Sequence, residues 1–435
     1  MRAHDCPGRA PVQAREGRRR AMKGAAAWLT HVAVVAGAAA FLGLALAAAR
    51  FRRLVGSPAF TPTGRIVLLG TFYNTRWFLS HVRPLAASGL REVLVITDEP
   101  PAPLAGVRFV RPPRALTVLL GRPLSRTLWA LWVGLREKPD VFMGYHILPN
   151  SAAALLAARV VGRVAAYQMT GGPIEIEGGG IGSENFWLTR LRRPSALVER
   201  LATEVAREFD LVIVRGSGAR RWVEERRPRG TVAVVTGSVD PQAVPSPAER
   251  SIDLLYVGRF TETKRPLAFV EIVAGVAASG PRVRAVMIGD GPLLGPARAR
   301  AQSLGLEELI AFRGRQDDAS ADFGRARVFV LPSRSEGLSI AMAEAMMAGA
   351  VPVVARVGDL GDLVRDGENG YLVDVDDLAR FQECAGRLLA EPPLWRRLSC
   401  AARESALGTV GLDRVTARWA QHLSAAVARR AGGGV

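Results

Sequence analysis

Cysteine is nearly missing from this chain: Cys6, Cys384 and Cys400 are the three among 435 residues. They share no metal-ligand spacing and cannot make a disulfide framework, which places the body in a reducing compartment. Lysine is as scarce. Of 58 basic residues only Lys23, Lys138 and Lys264 are lysines. No helix-turn-helix, zinc-finger or RNP signature is present, nor a repeat of solenoid period. Charged residues make up 23% and hydrophobic residues 49%, which excludes a disordered chain. At roughly 100–200 residues per domain the length allows two or three domains. Acidic residues are outnumbered 40 to 58, giving a net charge of +18. Nucleic acid would be the obvious partner, but the charge is uneven: +8 in residues 1–60, +9 in 61–245 and +1 in 246–435. With arginine so dominant, the bulk charge reflects compositional bias, and no nucleic-acid partner is expected.

Residues 24–49 (GAAAWLTHVAVVAGAAAFLGLALAAA) contain no charged side chain over 26 positions. As a helix they would span roughly 39 Å at ~1.5 Å per residue, enough to cross a ~30 Å hydrocarbon layer at a tilt. A signal peptide has an apolar region of only about 7–15 residues, and an Ala-rich helix can also be buried in a soluble core. The reading adopted is a basic N-terminus and transmembrane anchor within residues 1–60. Arg18, Arg19, Arg20 and Lys23 precede the segment while Arg50, Arg52 and Arg53 follow it, so the flanking charges nearly cancel. A start at Met22 would leave only Lys23 ahead of it.

From Arg65 onward, short apolar β-branched runs alternate with helix-length segments. They include GRIVLLGTF (64–72), REVLVITDE (91–99), DVFMGYH (140–146), RVAAYQMT (163–170), DLVIVRG (210–216) and TVAVVTG (231–237). Such continuous runs predict parallel strands buried on both faces. DPQAVPSPAERS (240–251) reads as a linker. The alternation restarts with DLLYVGRF (253–260), RVRAVMIGD (282–290), LIAFRGR (309–315), RVFVLPS (327–333) and AVPVVAR (350–356). The fold class expected is α/β: two Rossmann-like doubly wound domains facing a central cleft, preceded by one transmembrane helix. Boundaries are placed at 61–245 and 246–412, with a C-terminal helix and frayed tail over 413–435. Ligands of such sheets bind outside the carboxyl ends of the strands.

The second domain carries the chemistry. Glu336 and Glu344 stand eight positions apart in E-G-L-S-I-A-M-A-E, directly after the strand end V-L-P-S-R-S. Gly337, Leu338 and Ser339 fall at a helix N-terminus, where free N–H groups and the helix dipole favour an anion. A carboxylate at 344 can accept hydrogen bonds from vicinal hydroxyls such as those of a ribose. Arg259 and Lys264, in V-G-R-F-T-E-T-K, put two cations at a strand's carboxyl end, where they suit a diphosphate. Each feature has a bland alternative: a first-turn acid, a solvated helix face and a pair of loop cations. A lysine at 264 is, however, unexpected in so arginine-rich a chain.

In combination these residues resemble the family 4 glycosyltransferases of GT-B architecture, over most of residues 61–430 and most densely in 252–375. The shared motifs are V-G-R-F-x3-K, I-G-D-G-P-L (288–293), F-R-G (312–314), V-L-P-S-R-S-E-G-L-S (330–339), the E-x7-E pair and D-G-E-N-G-Y-L-V (366–373). V-V-T-G-S-V-D (234–240) looks like the family's interdomain segment. The resemblance implies a retaining hexosyl-type transferase that moves a sugar from a nucleotide-diphosphate sugar to a hydroxyl acceptor. That acceptor would be a lipid-linked or polysaccharide intermediate at the membrane. It gives Glu336 to the donor sugar, Glu344 to the ribose, and Arg259 and Lys264 to the diphosphate. Gly289, Asp290, Gly337, Leu338 and Ser339 join the donor site, and His146, ending the strand DVFMGYH, stands beside the transferred sugar. No cofactor or metal is implied. Because nucleotide sugars are made in the cytoplasm, the expected location is the cell inner or plasma membrane, single-pass, with the catalytic body cytoplasmic.

Some positions depart from the family's pattern. GTFYNTRWF (70–78) replaces its glycine-rich loop, and V-G-D-L-G-D-L-V puts Asp362 at the usual acidic position near 360. The Gly-rich loop 170–190 could shape an acceptor pocket or be a surface excursion. Phe186, Trp187 and Leu188 with Arg190, Arg192 and Arg193 could touch a membrane surface. Asp374-Val375-Asp376 spells D-x-D but reads as a helix start. His81 and His422 read as ordinary helix residues. An epimerase or isomerase on the same scaffold, or a non-catalytic nucleotide-sugar binder, are the rival functions.

Overall fold

The computed structural model describes residues 10–72, 75–98, 101–183, 188–243, 249–280 and 283–432; for 10–26 and Thr189 it describes the backbone alone. The chain opens with a long helix, α1 (Ala10–Val55). The first sheet is built from β1 (Arg65–Leu69), β2 (Glu92–Ile96), β3 (Val107–Val110) and β4 (Val141–Tyr145). It continues through β5 (Val164–Gln168), β6 (Leu211–Val214) and β7 (Thr231–Val234). Between these strands run α2 (Thr75–Ala86), α3 (Arg114–Glu137), α4 (Ala152–Val161), α5 (Ala196–Arg207) and α6 (Ser217–Glu225). The strand order is β3-β2-β1-β4-β5-β6-β7, all parallel.

The second sheet holds β8 (Ile252–Val257), β9 (Ala285–Ile288), β10 (Ile310–Phe312), β11 (Ala326–Leu331), β12 (Val351–Ala355) and β13 (Tyr371–Val373). Its order is β10-β9-β8-β11-β12-β13, again parallel. Helices α7 (Pro266–Ser279), α8 (Leu294–Ser303), α9 (Ser320–Arg325), α10 (Ile340–Met347) and α11 (Leu378–Ala390) cover it. α12 (Pro392–Val410) follows, and α13 (Leu412–Ala431) crosses back to the first domain. There Val415, Trp419, Leu423 and Ala426 join the core under α2.

Period-two alternation within buried strands explains the layers. Ile66 and Leu68 point to one face of the first sheet, and Val67 and Leu69 to the other. β3 and β13 are the two strands that the apolar runs do not announce. They are four and three residues long, and β3 lies half-exposed at a sheet edge.

The apolar N-terminal segment is helical, and Ala27–Val55 is long and apolar enough to cross a membrane. It also packs on the first domain, between α4 and α5. Leu42, Ala45, Leu46 and Ala49, spaced as one helical stripe, are buried in that domain's core. Arg52 donates to the carbonyls of Arg159 and Val160 at 2.6 and 2.7 Å, satisfying the last turn of α4. Part of the stretch expected in the bilayer is therefore engaged by the protein itself, while Trp28, Leu29, Val32 and Leu44 remain exposed.

Candidate active site

β8 and β11 are neighbours in the second sheet, so the loops at their carboxyl ends meet although 72 residues separate Lys264 from Glu336. The Lys264 ammonium donates to both oxygens of Glu336, each at 2.7 Å. Arg259 lies within electrostatic reach of the same carboxylate. Tyr256, buried at the end of β8, ties this loop down: its hydroxyl donates to the carbonyls of Arg259 at 2.9 Å and Lys264 at 3.5 Å. Gly289 presses on the same loop, where a Cβ would strike the Gly258 carbonyl. The Asp290 carbonyl accepts from the Phe260 N–H at 2.9 Å, and its carboxylate accepts from Gly291 N–H at 2.7 Å. The turn at 289–290 thus braces the cation loop.

Glu336 leads into α10. Ser339 is the N-cap, its hydroxyl accepting from Met342 N–H at 3.3 Å. Leu338 is 2% exposed and sits in the core, so what it offers at the helix start is backbone N–H. Behind the loop Gly358 has a φ of 56°, and a Cβ there would collide with the Glu336 carbonyl. Only glycine lets the two segments approach so closely. Glu344 lies on α10, largely buried. Burial pushes its carboxyl up to about 7, opposed by Arg76 and reinforced by Asp318. Arg76 comes from α2 on the first domain, with Nε 3.5 Å from Glu344 and Nη2 2.8 Å from Asp318.

Across the cleft, β4 is followed directly by His146, which has a φ of 62°. Its Nδ1 lies 3.0 Å from Glu175, and the Thr170 hydroxyl is 3.2 Å from both ring nitrogens. Glu175 also accepts from Tyr167 OH at 2.8 Å, Gly171 N–H at 2.5 Å and Ile147 N–H at 3.2 Å. Burial favours a neutral imidazole, but the Glu175 carboxylate outweighs it and holds His146 above its usual value. The Thr170 carbonyl faces Gly337, 3.7 Å from where a Cβ would stand, so His146 and Glu336 come together across the two domains. Arg215, after β6, completes the cluster. Burial pulls its guanidinium down to about 10, against the pull of Glu336, Asp359 and Glu175.

Glu175, Arg215 and Arg76 escaped the sequence reading. Glu175 lies in the 170–190 loop, whose described residues form short 3-10 turns with Ile176 and Leu188 in the core. Only the position of Arg215, just past a strand end like His146, could have flagged it. Leu188 is 1% exposed and packs into the core, so it offers no membrane contact; Phe186 and Trp187 lie outside the described residues. In the D-x-D stretch Asp376 pairs with Arg265 at 3.2 Å, and it is Asp377 that caps α11.

Residues 251–391 match the family described as glycosyl transferases group 1. The second domain is similar to a group 1 glycosyltransferase domain. Its frame is GT-B. Sucrose-phosphate synthase from Thermosynechococcus elongatus superposes with a TM-score of 0.66 at 17% identity, covering 84% of this chain and 99% of that one. Anabaena Alr3699/HepE in complex with UDP and glucose gives 0.65 at 16% identity, over 83% and 99%. In sequence, the lipopolysaccharide core biosynthesis glycosyltransferase LpsE of Rhizobium meliloti is 26% identical over 360 residues, 80% of this chain and 95% of LpsE. N-acetyl-alpha-D-glucosaminyl L-malate synthase of Bacillus anthracis is 26% identical over 170 residues, 38% of this chain but only 43% of that protein. In this chain the second domain contributes the Lys264–Glu336 pair and Glu344, and the first domain contributes His146, Arg215 and Arg76.

Proposed function

We propose that the protein is a retaining glycosyltransferase that transfers a sugar from a nucleotide-diphosphate donor to a hydroxyl of a lipid-linked or polysaccharide intermediate. The observation that carries this reading is the Lys264–Glu336 pair beside Arg259 and the start of α10. Breaking a sugar–phosphate bond leaves a negatively charged diphosphate, and preorganised cations with helix N–H groups stabilise that charge as it develops. Glu336 would bind sugar hydroxyls while orienting Lys264, and Glu344 would take the ribose in exchange for Arg76. His146, held by Glu175, would face the transferred sugar. Attack from the face the diphosphate leaves, with that phosphate taking the acceptor proton, needs no hydrolase-type carboxylate pair. The match to LpsE and the UDP and glucose held by HepE support the substrate classes.

A membrane setting has support on the first domain. α1 and α3 both pack against α4, and both expose apolar side chains. On α3 these are Val118, Leu119, Leu124, Leu128, Trp132 and Leu135, with Arg114, Arg122 and Arg136 on the same helix to meet anionic headgroups. The test is sugar transfer by the purified full chain across nucleotide sugars and lipid-linked acceptors. Glu336→Gln and Lys264→Ala should each lower kcat/KM by about 10²-fold or more. Full activity in both variants would remove the site assignment, and donor isomerisation without acceptor would favour an epimerase.

A further inference from the structure

A cavity of about 440 Å³ opens at the β7 edge of the first sheet, where α6, α13 and the second domain meet. Arg215, Arg220, Thr236, Arg418, Gln421 and His422 contribute its polar lining. Two of these hold buried polar atoms with no hydrogen-bond partner among the described residues: Nε and Nη2 of Arg215, and the hydroxyl of Thr236, a residue only 4% exposed. Buried donors left unmatched cost free energy, so a site that gathers several of them points to a ligand that satisfies them. The remaining cations are fixed and keep donors to spare. Arg220 donates to Glu224 at 2.7 Å and Arg418 to the Thr409 carbonyl at 3.3 Å, one each of the five N–H bonds a guanidinium carries. Asp362 also lines the cavity, but both its oxygens are engaged by Ser217. Burial and the surrounding charge of Arg418, Arg220 and Arg429 keep His422 below its usual pKa.

We propose that this hinge cavity binds a phosphorylated monosaccharide. The three guanidiniums suit a phosphate, the hydroxyl of Thr236 and the amide of Gln421 suit sugar hydroxyls, and the volume fits a molecule of that size. Arg259, Lys264, Glu336 and Glu344 take no part in its lining, whereas Arg215 and Leu338 are shared, so the cavity adjoins the site assigned to the donor without containing its two cations. Its walls come from both domains: β7, α6 and α13 on one side, Leu338 and Asp362 on the other. An occupant would bridge the hinge and shift the balance between open and closed arrangements by its preference for one of them.

Calorimetric titration of the full-length protein with glucose 6-phosphate tests this, with glucose and inorganic phosphate as separate arms, each with and without saturating UDP or GDP. Glucose 6-phosphate should bind with and without nucleotide and more tightly than inorganic phosphate, and glucose should not bind. Arg418→Gln should weaken binding about tenfold or more. So should Arg220→Gln, at an exposed position where folding is not at risk. Because affinity is read without nucleotide as well, the result is independent of the donor assignment. No binding, displacement by nucleotide, equal affinity for inorganic phosphate, or unchanged affinity in both variants would overturn the proposal.

Discussion

Glu344 shows how far the fold can move a single side chain. The unfolded chain ionises this glutamate near 4.5, whereas the folded chain holds the proton to about 7. Folding therefore takes up a proton in that window, and the contribution of Glu344 to stability falls as pH rises from about 4.5 to 7. Glu344→Gln should lie close to the parent in melting temperature at about pH 5 and above it at about pH 8, as read by differential scanning calorimetry. A gap that shrinks with rising pH would contradict the burial described. Arg76→Ala should shift the Glu344 midpoint further upward, because the guanidinium opposes the rise. In sequence, Lys264 and Glu336 stand out as candidates because each sits a few positions past a strand end, where ligands of parallel sheets bind. Arg76, Glu175 and Arg215 do not. Their partners, Glu344, His146 and Glu336, come from other elements, and local spacing carries no trace of such pairs.

At the level of elements, uninterrupted apolar runs made eleven strands visible, while β3 and β13 were too short or too exposed to register. α1 illustrates a different limit. Its composition satisfies the requirements of a bilayer, yet the stripe from Leu42 to Ala49 satisfies a protein core equally well. Alanine permits both, being small enough to pack closely and apolar enough to leave water. α3 is clearer: Val118 and Leu119 are 87% and 79% exposed beside the kink at Gly121. Val118→Glu with Leu119→Glu should leave the melting temperature within a degree or so, since neither side chain is buried. The same pair should reduce co-sedimentation with vesicles containing anionic lipid by several-fold. Undiminished vesicle binding would show that α3 does not face lipid.

On the scale of the whole molecule, the two domains are latched by carboxylates. Asp359 and Asp362, from the second domain, accept hydrogen bonds from Gly218 N–H and from the N–H and hydroxyl of Ser217. They cap the start of α6 on the first domain and meet its dipole. Gly216 precedes that helix with a φ of −161°, a conformation open to any residue, but a Cβ there would collide with the Asp359 side chain. Gly216→Ala should therefore leave each domain folded and separate them, giving a larger radius of gyration in small-angle X-ray scattering. A value unchanged from the parent would mean that the latch does not hold the domains. In sequence, Asp362 occupies the usual acidic position of a motif that otherwise departs from the family's pattern, but its use as a cap across the cleft is not legible there, because Ser217 lies 145 residues away.

The sequence by itself determined the two parallel sheets and the short motifs that bring Arg259, Lys264 and Glu336 just past strand ends and Glu344 onto the following helix. Burial on both faces forces continuous apolar runs, and strand-to-helix turns confine ligand chemistry to a few residues past them. Only the tertiary structure decided which groups meet: Arg76 with Glu344, Glu175 beneath His146, Arg215 between the domains, and α1 on the first domain's core. Electrostatic and packing interactions act through space over a few ångströms, and the chain reaches those distances only after its topology has closed.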